Sequence, residues 1–397
     1  MKSSTDTLIT VGIPAYKANK TLPDALSSIQ IQSIRDQVAV IIASDDPEDD
    51  YSELVQRFSD LNIIVLGCES NTGPGLARQS ALDACTAPWI TFMDADDVLF
   101  SPYALELFKN NITPNCIEVQ GAFLQECEDE NISALDRQHI MQQGGQVPPR
   151  TLARNDVEHP WVFGRCYNTA FLKNNKIEFS PLRAMEDGEF NWKIRMTIEG
   201  TNLQINRIED AVYLWRTGSE HSITRIGAEQ NDGIPLYNWD LCPVGSTAAA
   251  INAIKCCKKR NPFNGSISRF TVETMIRCYL TYVQCVDKRP MFAEQNLFNA
   301  KRFYHSCFSH IEEEIDDEVL KNMYTMQYAM NSQDMIGIIP NITFFDFMKK
   351  LKEDEYKGKE EFDEIRAKLP NWVNELDKKS GVLGDEGYIY TIDEVRI

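Results

Sequence analysis

Residues 89–97 read WITFMDADD, so the strand-like segment Trp89–Met93 leads directly into Asp94-Ala95-Asp96-Asp97. Three carboxylates in four residues repel one another, and a divalent cation between them makes the arrangement favourable. Hard oxygen ligands suit Mg²⁺ or Mn²⁺, which keep open coordination positions for the oxygens of a diphosphate. The alternative is an acidic turn before a helix, where acidic side chains are favourable next to the helix dipole. Taken alone, this stretch leaves both interpretations open.

Upstream of this stretch, short apolar strands alternate with helices. The expected strands are Leu8–Ile13, Val38–Ala43, Asn62–Leu66 and Trp89–Met93, and the expected helices are Leu22–Ile34, Tyr51–Ser59 and Pro74–Cys85. Near-continuous apolar strands separated by helices predict a parallel sheet covered on both faces, which is the α/β class. In such sheets ligands bind beyond the carboxyl ends of the strands. The residues that follow each strand are therefore the candidates for a site.

Two further polar segments follow strands at this predicted edge. Asp45 and Asp46 end the second strand, where a carboxylate could accept hydrogen bonds from a base or a ribose, or belong to an ordinary polar turn. Asn71–Gly75 is a glycine-rich turn that enters a helix, so its backbone could approach a phosphate closely. Arg78 follows one helical turn later and could contact the same anion, or lie on the surface as a solvated side chain.

Together these segments resemble the family 2 glycosyltransferases, which have the GT-A fold. Ile13–Lys17 is similar to the family's I-P-x-Y-N turn, with Lys17 in place of Asn, and Asp45-Asp46 is similar to its D-D-G-S turn without the glycine. Asn71–Gln79 resembles the N-x-G-x-x-x-A-R-N block, with Gln in the last position, and the D-A-D-D block is intact. Four motifs in this order and spacing are much more specific than any one of them.

The resemblance implies a nucleoside diphosphate sugar as donor and a set of residues to hold it. The implied nucleotide-binding residues are Pro14, Tyr16, Asp45, Asp46, Gly73, Arg78, Asp94 and Ala95. It also implies a Mn²⁺ or Mg²⁺ ion held by Asp94, Asp96 and His221. Arg216 and Arg225 are further candidates for contacts with the diphosphate.

The resemblance continues to about residue 225 and includes an acceptor-side E-D motif, Glu186-Asp187. In this family that motif supplies the catalytic base, which implies Asp187 as the base and Glu186 as the second choice. A carboxylate suits the role because it can accept the proton of an acceptor hydroxyl as the oxygen attacks the sugar. Without the upstream motifs, the same residues would be interpreted as acids at a helix N-terminus.

Composition restricts the other possibilities. The chain has 397 residues, 43% of them hydrophobic, which excludes a disordered chain or a fibre. Eleven cysteines without a C-x-x-C pair indicate reduced thiols rather than a disulfide framework. The first residues do not read as a signal peptide and no apolar run is long enough to span a membrane. We therefore expect a cytoplasmic location, in the host cytoplasm if the chain is encoded by a phage.

The pattern changes in the last part of the chain, so we predict a catalytic domain over residues 1–235 and a mostly helical domain over residues 236–397. The expected helices there are Phe270–Val286, Lys301–His310, Asp317–Met330, Phe344–Lys352 and Glu360–Leu369. On the first of them, Val272, Met275, Tyr279, Val283 and Val286 should form one buried face. Gln142–Arg150 is rich in Gly and Pro and is expected to be a loop. Lys255–Arg260 is a basic cluster that could contact a polyanion or simply be solvated.

The favoured function is an inverting, metal-dependent glycosyltransferase that moves a sugar from a UDP-sugar to a hydroxyl of a surface glycan or polysaccharide. One alternative is a phage enzyme that adds glucose or arabinose to 5-hydroxymethylcytosine in DNA, which must make the base accessible. The net charge of −19 counts against that acceptor, since such a surface repels DNA. Further alternatives are a nucleotidyltransferase and a non-catalytic protein that binds nucleotide sugars.

Overall fold

The computed structural model describes residues 7–125, 150–151, 161–182, 184–216, 242–258, 265–311 and 344–380. The chain forms two compact units. One consists of Met1–Pro181 and Gly200–His221, and the other of Leu182–Glu199 and Ser222–Ile397. The domain boundary at residue 235 stays a prediction.

The first unit is built on one mixed sheet of nine strands among the described residues. The strands are β1 (Ile9–Ala15), β2 (Val38–Ser44), β3 (Asn62–Leu66), β4 (Trp89–Phe92), β5 (Val98–Leu99), β6 (Cys116–Gln125), β7 (Arg150–Thr151), β8 (Arg165–Asn168) and β9 (Gln204–Trp215). Their order is β3-β2-β1-β4-β8-β6-β9-β5, with β7 paired to β6. The first four strands run parallel, as predicted, and β8 pairs antiparallel with both β4 and β6.

Five helices accompany this sheet in the described part of the first unit. They are α1 (Leu22–Gln30), α2 (Ser52–Arg57), α3 (Pro74–Ala84), α4 (Ala104–Asn110) and α5 (Thr169–Asn174). Leu22, Ala25, Leu26 and Ile29 are buried at helical spacing on α1, so one face of this helix packs into the core. Strands β1 and β2 are buried along nearly their whole length, which confirms the prediction from their apolar runs.

Two details of this unit differ from the expectation. Strand β3 is not covered on both faces, because it lies at the edge of the sheet, and Ile64 and Val65 are 47% and 41% exposed. Helix α1 ends at Gln30 rather than Ile34, because the chain turns where the Gln32 side chain donates to the backbone oxygens of Ser28 and Ser101. Both differences depend on tertiary neighbours that a local pattern does not contain.

The second unit is helical in its described residues, in agreement with the predicted character of the C-terminal part. Its helices are α6 (Glu186–Ile198), α7 (Cys242–Lys258), α8 (Gly265–Lys288), α9 (Ala293–Ser306), α10 (Phe344–Glu353), α11 (Lys359–Lys368) and α12 (Asn371–Ser380). On α8 the predicted apolar face is buried from Val272 to Val283, but Val286 is 45% exposed, so its inclusion was wrong. The predicted helix Asp317–Met330 lies outside the described residues.

None of the described helices is long and apolar enough to cross a membrane. The described cysteines with placed side chains are all free thiols, and most of them are buried, as expected for small hydrophobic side chains. Of the predicted loop Gln142–Arg150, only Arg150 is described, and it lies in β7 rather than in a loop.

Candidate functional site

The carboxyl ends of β2, β1 and β4 bring three of the predicted motifs to one edge of the sheet. Ala15 pairs with Ser44 at the ends of β1 and β2, and the Asp45 N–H donates to the Ala15 carbonyl at 2.8 Å. On the other side of β1, the Met93 N–H donates to the Gly12 carbonyl at 3.1 Å. Because these strands are parallel neighbours, the residues that follow them emerge side by side, as the sequence predicts.

Asp45 holds the glycine-rich turn that precedes α3. Its Oδ1 accepts hydrogen bonds from the Thr72 N–H at 2.6 Å and the Thr72 hydroxyl at 3.1 Å. Its Oδ2 accepts from the Gly73 N–H at 2.9 Å, and its carbonyl oxygen accepts from the Asn71 amide at 3.0 Å. The carboxylate is 4% exposed. In this structure Asp45 therefore organises the turn, a role that the sequence did not suggest.

The same turn depends on a glycine where the helix begins. Gly73 is the N-cap of α3 and has a φ of 90°, a left-handed value that a residue with a side chain rarely adopts. Pro74 follows at the first helical position, where its missing N–H costs no hydrogen bond. The helix therefore begins beside the carboxyl ends of the strands, and the N-terminus of a helix is an electrostatically favourable place for an anion.

Arg78 connects this helix to the acidic turn. Its Nη2 donates to the Asp94 Oδ1 at 2.7 Å, and its side chain is only 5% exposed, compared with 35% for that of Asp94. The buried guanidinium places a positive charge beside the partly exposed carboxylate of the acidic turn, and a guanidinium is a group that suits phosphate oxygens. The structure thus brings together two predicted nucleotide-binding residues that are 16 positions apart in the sequence.

The three acidic side chains of the turn have different environments. Asp94 and Asp96 are partly exposed, whereas Asp97 is 1% exposed. Asp97 accepts hydrogen bonds from the Tyr213 hydroxyl at 2.5 Å and from the Arg216 N–H at 2.7 Å. Burial, followed by the nearby charges of Asp94 and Asp96, raises the pKa of the Asp97 carboxyl well above its usual range. Asp97 is thus an internal support of the turn, and Asp94 and Asp96 are its accessible carboxylates.

The donor set of this turn fits a divalent cation that is shared with a ligand. Within the described residues, no cluster of three or more His, Cys, Asp or Glu side chains is arranged to hold a metal ion by itself. Mg²⁺ and similar ions commonly use one or two carboxylates and complete their shell with water and substrate phosphates. Asp94 and Asp96 match that arrangement because both are hard oxygen donors at an accessible edge.

Tyr16 and Lys17 follow β1, and the backbone of Lys17 is in an unusual conformation. Lys17 has a φ of 50°, in the left-handed region that Asn tolerates better than most residues. The Lys17 N–H donates to the Asp49 Oδ2 at 2.7 Å, and the Lys17 ammonium lies 5.0 Å from the centre of the Tyr16 ring. Pro14 lies within β1 next to its last residue, Ala95 follows β4 and is buried, and Tyr16 is 44% exposed.

The Glu186-Asp187 pair opens helix α6 in the second unit. Met185 precedes it with a φ of 67°, a left-handed conformation that is costly for a long side chain. Glu186 is buried and Asp187 is partly exposed. Glu189, by contrast, forms an ion pair with Lys193 at 2.5 Å and accepts from the Asn252 amide at 3.2 Å, which indicates a structural role.

The backbone before this pair packs closely against helix α7. A Cβ added at Gly245 would lie 2.7 Å from the Ala184 carbonyl oxygen, so the glycine permits an approach that another residue would prevent. Leu182, Ala248 and Ala249 form a small buried cluster at the same place, with Met185 packed against it. Gly245 thus helps to set the entry of the chain into α6. It was missed at the sequence level because a lone glycine in a helix carries no local signal.

Several predicted residues lie elsewhere. His221 and Arg225 lie outside the described residues, as do Lys259 and Arg260 of the basic cluster Lys255–Arg260. The Arg216 guanidinium pairs with Asp24 at 2.9 Å, while its backbone N–H supports Asp97. Tyr213 is the main site residue that the sequence did not reveal, since 116 positions separate it from Asp97.

Comparisons with known proteins agree with this fold. The model of glycosyl transferase family 2 matches residues 10–177. The poly(ribitol-phosphate) beta-N-acetylglucosaminyltransferase TarS of Staphylococcus aureus is 24% identical over 218 residues, which cover 52% of this chain and 35% of TarS. The UDP-Glc:alpha-D-GlcNAc-diphosphoundecaprenol beta-1,3-glucosyltransferase WfgD of Escherichia coli is 31% identical over 113 residues, 27% of this chain and 44% of WfgD. The match therefore spans less than half the length of either relative.

A crystal structure of S. aureus TarS 1–349 in complex with UDP superposes with a TM-score of 0.57 at 15% sequence identity. The superposition covers 88% of this chain and 93% of that chain. At this identity the likeness establishes the fold, and the predicted GT-A class with a helical C-terminal region is confirmed.

Proposed function

We propose that this chain, whose residues 10–177 match the model of glycosyl transferase family 2, transfers a sugar from a nucleoside diphosphate donor to a hydroxyl group of a glycan. The observation that carries the proposal is the buried Arg78 guanidinium 2.7 Å from Asp94, next to the glycine-rich start of α3. A positive charge, a helix N-terminus and two accessible carboxylates at one sheet edge suit a diphosphate with its cation.

We propose UDP as the nucleotide of the donor. TarS has been crystallised with UDP and with UDP-GlcNAc, and WfgD is named for a UDP-Glc donor. In this chain Tyr16 offers a partly exposed ring beside the end of β1, and Asp45 and Asp46 follow the adjacent strand. Pro14, Gly73 and Ala95 complete the proposed nucleotide-binding set through backbone positions at the strand ends and the start of α3.

The proposed reaction is a single displacement that inverts the anomeric centre. Asp187 accepts the proton of the acceptor hydroxyl while that oxygen attacks the anomeric carbon and the bond to the diphosphate breaks. This assignment rests on the resemblance of the Glu186-Asp187 pair to the family's motif, with Glu186 as the second choice. Asp94 and Asp96 would hold Mn²⁺ or Mg²⁺, with His221 as a further ligand, and the bound ion would offset the charge of the departing diphosphate.

For the acceptor we propose a surface glycan or polysaccharide. The relatives point in this direction by name, since one acts on poly(ribitol-phosphate) and another on a diphosphoundecaprenol-linked sugar. The net charge of −19 disfavours DNA as the acceptor. The family match favours sugar transfer over nucleotidyl transfer.

The donor proposal can be tested by thermal unfolding with UDP, GDP, CDP or ADP, each with and without Mn²⁺. A ligand at 100 times its Kd stabilises the folded state by about 2.7 kcal/mol. That corresponds to a rise in Tm of about 5–10 °C for a domain of this size. We expect a rise with UDP that is larger with Mn²⁺. Asp96→Asn should lose the Mn²⁺-dependent part, and Asp60→Asn, at an exposed carboxylate paired with Arg35, should keep it. If no nucleotide raises the Tm, the donor proposal is refuted.

The assignment of the base has a separate test. Asp187→Asn should keep the UDP-induced rise in Tm, because the donor site is unchanged, but should lose transfer to a glycan acceptor. Glu186→Gln, at the neighbouring carboxylate, should retain more transfer activity. Wild-type transfer rates in Asp187→Asn would show that another group accepts the proton.

A further inference from the structure

The Tyr213 hydroxyl connects the two ends of the acidic turn. It donates to the Asp97 Oδ2 at 2.5 Å and accepts from the Asp94 N–H at 3.1 Å. The Asp97 N–H in turn donates to the Asp94 carbonyl at 3.2 Å. One phenol oxygen therefore contacts the residue before and the residue after the Ala95-Asp96 pair at the tip of the turn.

The strand that carries Tyr213 is itself attached to this turn. Leu99, two residues after Asp97, pairs with Tyr213 in the antiparallel ladder between β5 and β9. Arg216 directly follows the last residue of β9, and its N–H donates to the Asp97 Oδ1 at 2.7 Å. Each oxygen of the Asp97 carboxylate thus receives a hydrogen bond from the same segment, so the turn is supported from one strand.

The orientation of the phenol is determined by aromatic packing. The Tyr213 ring stacks on Phe163, with ring centres 4.6 Å apart and planes at 7°. Phe163 in turn meets Phe123 edge to face at 5.1 Å. Tyr213 is 1% exposed and Phe163 is 4% exposed, so the ring has little freedom to rotate. The hydroxyl therefore points at the acidic turn with a direction set by the core.

We propose that Tyr213 is a positioning residue that holds Asp94 and Asp96 in the arrangement needed to bind a divalent cation together with a nucleoside diphosphate. The physical reason is that neighbouring carboxylates repel one another and would separate if the turn were free. Binding groups that are held in place before the ligand arrives bind it without an ordering cost. This inference rests on the proposed donor site, because it concerns the same acidic turn.

The test compares Tyr213→Phe with Tyr167→Phe by titrating UDP calorimetrically in the presence of Mn²⁺ and, separately, in EDTA. Tyr167 is a matched control, since it is also buried in the sheet, but its hydroxyl donates to the Val162 carbonyl at 3.4 Å. We expect Tyr213→Phe to raise the Kd for UDP with Mn²⁺ at least tenfold and to change the Kd in EDTA less than threefold. Tyr167→Phe should leave both values near those of the wild type.

The outcomes separate this inference from the proposed function. If the wild type does not bind UDP with Mn²⁺, both fail together. If the wild type binds and Tyr213→Phe binds equally well, only the positioning role is refuted. Equal weakening by Tyr213→Phe and Tyr167→Phe, or equal weakening with Mn²⁺ and in EDTA, would indicate a general loss of structure and also refute it.

A second variant covers the case in which Tyr213→Phe does not fold. Phe163→Leu keeps both hydrogen-bonding groups of the turn but removes the ring that orients the phenol. It should raise the Kd for UDP with Mn²⁺ by a factor of about three to ten, which is at most about 1.4 kcal/mol of binding free energy. The Kd in EDTA should stay unchanged. Wild-type affinity in a folded Phe163→Leu protein would contradict the proposed dependence on the orientation of Tyr213.

Discussion

Replacing Asp45 by Asn should loosen the turn before α3 and weaken UDP binding at the same time. Asp45 accepts hydrogen bonds from two backbone N–H groups, those of Thr72 at 2.6 Å and Gly73 at 2.9 Å, one at each carboxylate oxygen. An amide has only one oxygen, so in either orientation its NH₂ group faces a backbone N–H. A buried donor without an acceptor costs about 1–3 kcal/mol, and the remaining bond loses its charge assistance.

We therefore expect Asp45→Asn to destabilise the folded turn by about 2 kcal/mol. If the turn must be ordered to bind nucleotide, the same free energy corresponds to a Kd about 30-fold higher. The measurements are the Tm by scanning calorimetry and the Kd for UDP by titration calorimetry. Asp50→Asn is the control, because its exposed Oδ1 accepts a single hydrogen bond, from the Ser52 N–H at 2.8 Å, and the amide oxygen of Asn can accept the same bond. Weaker UDP binding with an unchanged Tm would refute the reasoning, since Asp45 would then act only as a direct ligand.

Three other predictions concern stability. Glu118 and Arg165 form a fully buried ion pair. Arg165→Met should therefore lower the free energy of unfolding, measured with urea, by about 3–5 kcal/mol, and adding Glu118→Met should restore most of that loss. A loss below about 1 kcal/mol in Arg165→Met would contradict this prediction. Gly245→Ala should destabilise the helical unit by about 1–3 kcal/mol in calorimetry, because its Cβ would lie 2.7 Å from the Ala184 oxygen; an unchanged Tm would exclude that contact. Burial lowers the pKa of the His305 imidazole below its ordinary 6.5. The unfolded chain therefore binds the proton more readily than the folded chain, and the free energy of unfolding should fall as the pH drops through 6.5. His305→Gln should weaken this dependence, which is measured as Tm against pH.

Local patterns sufficed for the first four strands and for the acidic turn. Strands β1 and β2 are apolar over nearly their whole length, which is typical of buried parallel strands. The acidic turn was visible because its carboxylates are adjacent in the sequence and directly follow a strand. The exposure of β3 could not be predicted, because an apolar pair such as Ile64 and Val65 is equally compatible with a central strand and an edge strand. Only the order of the strands in the sheet distinguishes these two positions.

The division of roles within the site required the tertiary structure. The residues next to Asp45 in the sequence do not indicate whether its carboxylate binds a ligand or holds the turn at Thr72, which is 27 residues away. Likewise, nothing near Asp97 in the sequence distinguishes it from Asp94, and its burial beneath Tyr213 makes it a support rather than an accessible acid.

The sequence by itself determined the α/β class, the resemblance to the family 2 glycosyltransferases and the sheet edge at which the acidic and glycine-rich motifs lie. These follow from hydrophobic periodicity and from motifs of a few adjacent residues, both of which are local properties of the chain. Only the tertiary structure decided which carboxylates are accessible and which side chains hold them. That distinction depends on desolvation and on hydrogen bonds between residues distant in sequence, such as Tyr213 and Asp97, and these exist only after the sheet has formed.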